Sequence, residues 1–280
     1  MRKSLVALSA AVFLCVPATA IAAPASMAAP GTAVAGAVDG TTQIAAADRF
    51  REIRTGQAGH RTEATSIHDD WGVYTGGSAV TGQDAVQSAY SDLSVSGDTL
   101  YAPTMKAPGS CVELVTAYSG GAKQVWAWDW CVGVHVAKSV NIDAVFRTNY
   151  VTSVNGHDSY HGKVEQTDAG KNTWTSSLFN YHANRWDTLY TQSGTDQSRD
   201  NRSWNIFEVY ASGSTTAAYC TALGTRNIES SSYKIKLNGS WQAASTGNTS
   251  VISNSSTANF LCPNLSRTVV HANDQWQVHR

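Results

Sequence analysis

From Trp71 onward the chain is a succession of short runs in which apolar and polar residues alternate, broken by Gly, Asn and Asp. A period of two places successive side chains on opposite faces of a strand, so each run reads as a strand with one buried face. The runs are Thr99 to Ala102, Cys111 to Tyr118, Gln124 to Cys131, Val140 to Val154, Tyr160 to Gln166, Thr173 to Tyr181, Arg185 to Gln192, Ser203 to Ala211, Tyr233 to Leu237 and Trp276 to His279. Between them fall Asp168-Ala169-Gly170-Lys171, His182-Ala183-Asn184 and Asn238-Gly239, the last a dipeptide suited to a tight hairpin turn. Strands and turns at this spacing from residue 70 to residue 280 predict one all-β domain. Its expected form is an antiparallel two-sheet β-sandwich of jelly-roll type.

The richest of these segments runs from Cys111 to Cys131, where CVELVTAY and QVWAWDWC flank SGGAK. With Tyr118 facing Gln124, the two cysteines are opposed and a disulfide closes the hairpin. That register sets Val112 against Trp130, Leu114 against Trp128 and Thr116 against Trp126, so three tryptophans share one face. The other face then opposes Glu113 to Asp129.

Before the strands, Arg2 and Lys3 precede an apolar run from Leu5 to Val16 and small residues around Ala18, Ala20 and Ala22. This pattern predicts a signal peptide over residues 1–23 and a secreted, extracellular protein. Residues 24–69 are rich in Ala, Gly, Pro and Thr and are expected to form a linker or short propeptide, with a short helix around Asp48 to Arg54. Of five cysteines, Cys15 falls in the signal. The remaining four predict two disulfides, Cys111 with Cys131 and Cys220 with Cys262. Zinc is not expected, since no CxxC pair exists, and neither is any cofactor.

Composition narrows the partners. The formal net charge is −1, with 15% charged residues, nine Trp and eleven Tyr. Nothing in that balance attracts nucleic acid, and no second apolar stretch would insert in a membrane. Aromatic richness instead suits glycan or cell-wall polysaccharide, whose ring faces stack on aromatic side chains.

Candidate chemistry follows from the strand faces. Alternation in Ser203 to Ala211 sends Phe207 and Val209 one way and Trp204, Ile206, Glu208 and Tyr210 the other, an acid between aromatics. Trp126, Trp128 and Trp130 would add stacking surface, on a platform facing either water or core. Glu113 opposite Asp129 would couple two titrations and give a pair suited to glycosidic chemistry. His157 and His161, around the Asn155-Gly156 turn, lack the helical setting that a two-histidine metal site requires. Phosphate-loop, Gly-x-Ser-x-Gly and His-Glu-x-x-His motifs are missing.

The order of these parts resembles the glutamic peptidases, or eqolisins, whose fold is a concanavalin-like β-sandwich with a Gln and Glu dyad on its concave sheet. Trp126-Ala127-Trp128-Asp129-Trp130 is similar to that family's strand rich in Trp and acid. Trp204-Asn205-Ile206-Phe207-Glu208 is similar to the late strand that carries its Glu. The family's Trp-Val-Gly-Ile-Asp-Gly signature is absent. The resemblance implies Glu208 as catalytic acid, Gln124 as its partner and peptide as substrate.

Three readings result. The first is a lectin-like protein that binds glycan through Trp126, Trp128, Trp130, Trp204 and Tyr210 with Glu208. The alternative is an acid-acting hydrolase using Glu208 with Gln124, or Glu113 with Asp129. The third is a non-catalytic envelope or inhibitor protein.

Overall fold

The computed structural model describes residues 66–76, 79–132, 135–194, 202–212, 215–255 and 257–280. The expected signal peptide, linker and Asp48 to Arg54 helix lie outside them. Two antiparallel sheets pack face to face. The first has the strand order β14-β1-β11-β3-β4-β5-β6, comprising β14 (Ser250–Asn254), β1 (Ser66–Gly76), β11 (Arg202–Ser212), β3 (Thr99–Lys106), β4 (Val112–Ser119), β5 (Ala122–Asp129) and β6 (His135–Asn141). The second runs β10-β9-β8-β2-β12-β16-β15, from β10 (Arg185–Ser193), β9 (Thr173–Asn180) and β8 (His157–Asp168) through β2 (Val80–Ser88) and β12 (Ile228–Leu237) to β16 (Gln275–His279) and β15 (Ser266–His271). Short strands β7 (Val151–Val154) and β13 (Ser240–Ala243) pair with β8 and β12.

The expected two-sheet sandwich is therefore the observed one, and both disulfides form, Cys111–Cys131 and Cys220–Cys262. The inter-sheet core takes Leu100, Met105, Leu114, Val125, Phe207 and Val209 from the first sheet, against Tyr160, Val164, Leu178, Ile235 and Trp276 from the second. The sheets meet closely at Gly162, where an added Cβ would lie 2.4 Å from Leu114 Cδ2. Among the described residues no helix is long and apolar enough to cross a membrane.

Two expectations are corrected. Val140 to Val154 is not one strand, because β6 ends at Asn141 and α1 (Ala144–Tyr150) follows before β7. Asp143 caps that helix, its carboxylate accepting the Phe146 N–H at 3.0 Å, and Phe146 and Tyr150, four residues apart, bury one side of it.

The hairpin register is also shifted by one residue. Ser119 pairs with Ala122 across a two-residue Gly120-Gly121 turn, with φ of 58° and 83° that glycine alone adopts freely. Ala117 therefore faces Gln124, Val115 faces Trp126, Glu113 faces Trp128 and Val112 faces Asp129. A one-residue slip moves every side chain of one strand to the other face relative to its partner. Glu113 thus joins the tryptophans, and Asp129 goes to the opposite side.

Candidate functional site

The side chains of the first sheet that point away from the core line up in rows across its strands. One row reads Asn254, Asp70, Glu208, Tyr101, Ala117, Gln124, Asn141, each opposite the next. The next reads Ile206, Thr104, Val115, Trp126, and the one beyond it Tyr74, Trp204, Lys106, Glu113, Trp128. A bulge keeps the rows aligned. Between Tyr101 and Thr104, β3 spends an extra residue against both β11 and β4, which brings Tyr101 rather than Ala102 opposite Glu208. Pro103, lacking an N–H, falls in that interruption, where no ladder bond is lost.

This face carries its own cluster of Tyr101, Val115, Ala117, Trp126, Trp128, Val136 and Tyr210, separate from the inter-sheet core, with Trp130 packed against it. Trp126 and Trp128 are thus on the outer side of the sheet, yet only 2% and 1% exposed. Trp130 stands just past the end of β5 and meets Trp128 and Trp204 edge to face, with ring centroids 5.9 and 6.3 Å apart.

Three buried carboxyl groups lie on this face. Glu113 is held by Nε1 of Trp130 at 2.8 Å, Nε1 of Trp204 at 2.9 Å and the Thr104 hydroxyl at 2.5 Å. Two of the tryptophans read as stacking platforms therefore anchor an acid. Glu208 Oε1 lies 2.7 Å from His68 Nε2 and accepts the Tyr210 hydroxyl at 2.9 Å, while the His68 and Tyr210 rings stack at 4.2 Å. Asp70, directly opposite Glu208, accepts the Tyr74 hydroxyl and, at 3.0 Å, the Asn254 amide. Burial pushes the Asp70 carboxyl above its ordinary pKa, and the neighbouring Glu208 adds to the rise; the bonds from Tyr74 and Asn254 and the proximity of His68 offset it only in part. A cavity of about 10 Å³, bordered by Tyr101, Glu113, Val115, Trp126, Trp128 and Glu208, is of a size to take one water.

The remaining sequence candidates fall elsewhere. Gln124 shares the row of Glu208, but two strands intervene, so three strand spacings, about 14 Å, separate their backbones. Its amide accepts Trp126 Nε1 at 2.7 Å and donates to Asn141 at 3.1 Å. Asp129 faces away from Glu113 and serves the chain itself, taking the backbone N–H groups of Cys131 and Val132 and the Tyr190 hydroxyl. The register removes the proposed Glu113 and Asp129 pair. His161 bonds Asp84 at 2.8 Å and His157 lies 3.8 Å from Glu229, both on the second sheet. Among the described residues no group of three His, Cys, Asp or Glu is placed to hold a metal.

His68, Asp70 and Tyr74 all belong to β1, whose first residues read from the sequence as polar linker. The signal was present in Ile67, Trp71 and Val73 at odd positions against His68, Asp70 and Tyr74 at even ones. Asp69, an acid on the core-facing side, hid it: it is buried and accepts the Thr257 hydroxyl at 2.9 Å. Gly72 lets β1 close on β11, since a Cβ there would sit 2.7 Å from the Asn205 carbonyl oxygen.

No family model matches the chain, and no curated protein does. Solved structures similar to it include scytalido-glutamic peptidase with a transition state analog inhibitor, at 13% identity and a TM-score of 0.42. The same enzyme with a peptide based transition state analog, and SCP-B, a member of the eqolisin family, in complex with the tripeptide Ala-Ile-His, each score 0.39 at 13% identity. All three comparisons cover 78% of this chain and 99% of the other. The suspected resemblance to glutamic peptidases is thus met again among solved structures, at a level that adds nothing to what the site geometry carries.

Proposed function

We propose that this protein is a hydrolase that cleaves peptide bonds in acid, with Glu208 as its general base. The observation that carries the reading is the position of Glu208: a buried carboxyl, oriented by His68 and Tyr210, on the border of a cavity of one-water size. Such a carboxylate takes a proton from the water as its oxygen attacks the substrate carbonyl, and the departing nitrogen must receive a proton as the C–N bond breaks. The Trp-rich and Glu-bearing runs that resemble the glutamic peptidases contribute Trp126, Trp128, Trp204 and Glu208 to one face, which supports peptide as substrate. Glycan binding wants open aromatic faces, whereas Trp126, Trp128 and Tyr210 are buried. Two disulfides in a chain that opens with a signal-like segment support a role outside the reducing cytoplasm.

The test is proteolysis of an unfolded protein substrate from about pH 2 to pH 8. Glu208→Gln should lower kcat by roughly 100-fold or more with the fold intact by circular dichroism. Absence of cleavage across the whole range by the wild-type protein would overturn the reading.

A further inference from the structure

The leaving nitrogen must receive a proton, and a second group that already holds one would leave Glu208 free to act as the base alone; Gln124, three strand spacings from Glu208, is not placed to be that group. The nearer candidate is the residue directly opposite Glu208. Asp70 and Glu208 form a register pair on neighbouring antiparallel strands, where facing residues have Cα atoms about 4.5 to 5.5 Å apart and side chains on the same face. Both are largely buried, at 8% and 6% exposure. We propose that Asp70 and Glu208 are an acid pair sharing one proton, Asp70 carrying it as the general acid while Glu208 carries the charge as the base.

The surroundings favour that division. His68 lies against Glu208 Oε1, so a protonated imidazole there stabilises the charge on Glu208. The groups facing Asp70 are Tyr74 and His68 from its own strand, Glu208 from β11, and Asn254 from β14, with Tyr101 of β3 next in the row. Two buried carboxylates this close resist joint ionisation, because each loses hydration and each opposes the other. The raised pKa of Asp70, to which Glu208 contributes, agrees with this.

The reaction then balances. Water gives one proton to the Glu208 carboxylate as its oxygen bonds to the carbonyl carbon. The C–N bond breaks, and the Asp70 proton passes to the nitrogen, yielding an amine and a carboxylic acid. Transfer of the proton from Glu208 to Asp70 across the pair restores the starting state.

The catalytic role rests on the proposed hydrolase activity, but the shared proton does not, so the two are tested separately. Titration of the full-length protein with 13C-labelled carboxyl groups should show the Asp70 midpoint falling by about one pH unit in Glu208→Gln, whereas Glu208, which ionises beside a neutral Asp70, should not titrate lower in Asp70→Asn. An Asp70 midpoint that stays in place in Glu208→Gln overturns the pair. On a peptide substrate, Asp70→Asn should reduce kcat by about 100-fold with KM nearly unchanged, and should remove the decline of activity that deprotonation of the acid imposes at higher pH. Full kcat in Asp70→Asn beside an inactive Glu208→Gln overturns the role of Asp70 and leaves the hydrolase reading standing. Coupled midpoints in a protein that cleaves nothing support the pair and overturn the hydrolase reading instead.

Discussion

Two acids, one on the outer face of each sheet, are held in opposite ways. On the second sheet Glu165 lies between Lys163 and Lys236, with contacts of 2.9 and 2.7 Å. Lys163 also rests over the Trp186 ring at 4.6 Å. Although partial burial raises it, the two lysines hold the Glu165 carboxyl below its usual range. On the first sheet Asp70 is held by a phenol and an amide beside another carboxyl, and burial holds it above that range. Cations fix an acid in its charged form, which is a structural role. Burial beside a second acid favours the protonated form, which is the form a general acid must start from.

This contrast is open to three measurements. The largest effect is expected for Glu113→Ala, which strands the part-buried indole N–H groups of Trp130 and Trp204 and the buried Thr104 hydroxyl. Loss of about 3 kcal/mol in urea unfolding is expected, and a loss under about 1 kcal/mol would mean that this face is not a desolvated network.

Asp70→Asn should have a smaller effect and the unusual sign. Because the folded-state pKa is raised, the folded protein binds more protons than the unfolded chain between the two pKa values. Wild-type stability therefore declines as pH rises through that window. The variant should be at least as stable as wild type at neutral pH, with any advantage vanishing below the unfolded carboxyl pKa of about 3.9. Destabilisation at neutral pH that disappears in acid would place Asp70 with the ordinary ion-paired acids.

Glu165→Gln should show that ordinary behaviour at the smallest amplitude. Its lowered pKa contributes stability above the unfolded value, and this is lost as pH falls through the folded one. Since the pair is partly solvated, the neutral-pH cost should be about 1 kcal/mol or less, shrinking further in high salt. A cost that persists at low pH would trace to packing rather than charge.

Legibility from the sequence differed from strand to strand. Alternation along β11 was clean, so Trp204, Ile206, Glu208 and Tyr210 were read onto one face, as observed. The cysteine pairing was legible because four cysteines and one hairpin leave few sensible arrangements. The partner of Trp126 was not, since either a two-residue or a five-residue loop satisfies the alternation around Gly120-Gly121, and the choice changes which residues share a face. Asp70 was missed because its strand buries Asp69 on the core side, where alternation calls for an apolar residue. The α1 helix was hidden by β-branched and aromatic residues that fit a strand equally well. Only the cap at Asp143 distinguishes it.

The row that runs through Asp70 and Glu208 has a consequence for the order of assembly. The β4 and β5 hairpin is local and can zip around its own turn, whereas the contacts of the acid pair span 140 residues from His68 to Glu208 and 184 from Asp70 to Asn254. Pairing across such distances is slow, since chain entropy is lost before any contact is gained. Until β1 has found β11, Glu208 has neither His68 nor Asp70 beside it. Under the proposed reading the chain carries no reactive centre while it is being made, and completion of the sheet is itself the activation step.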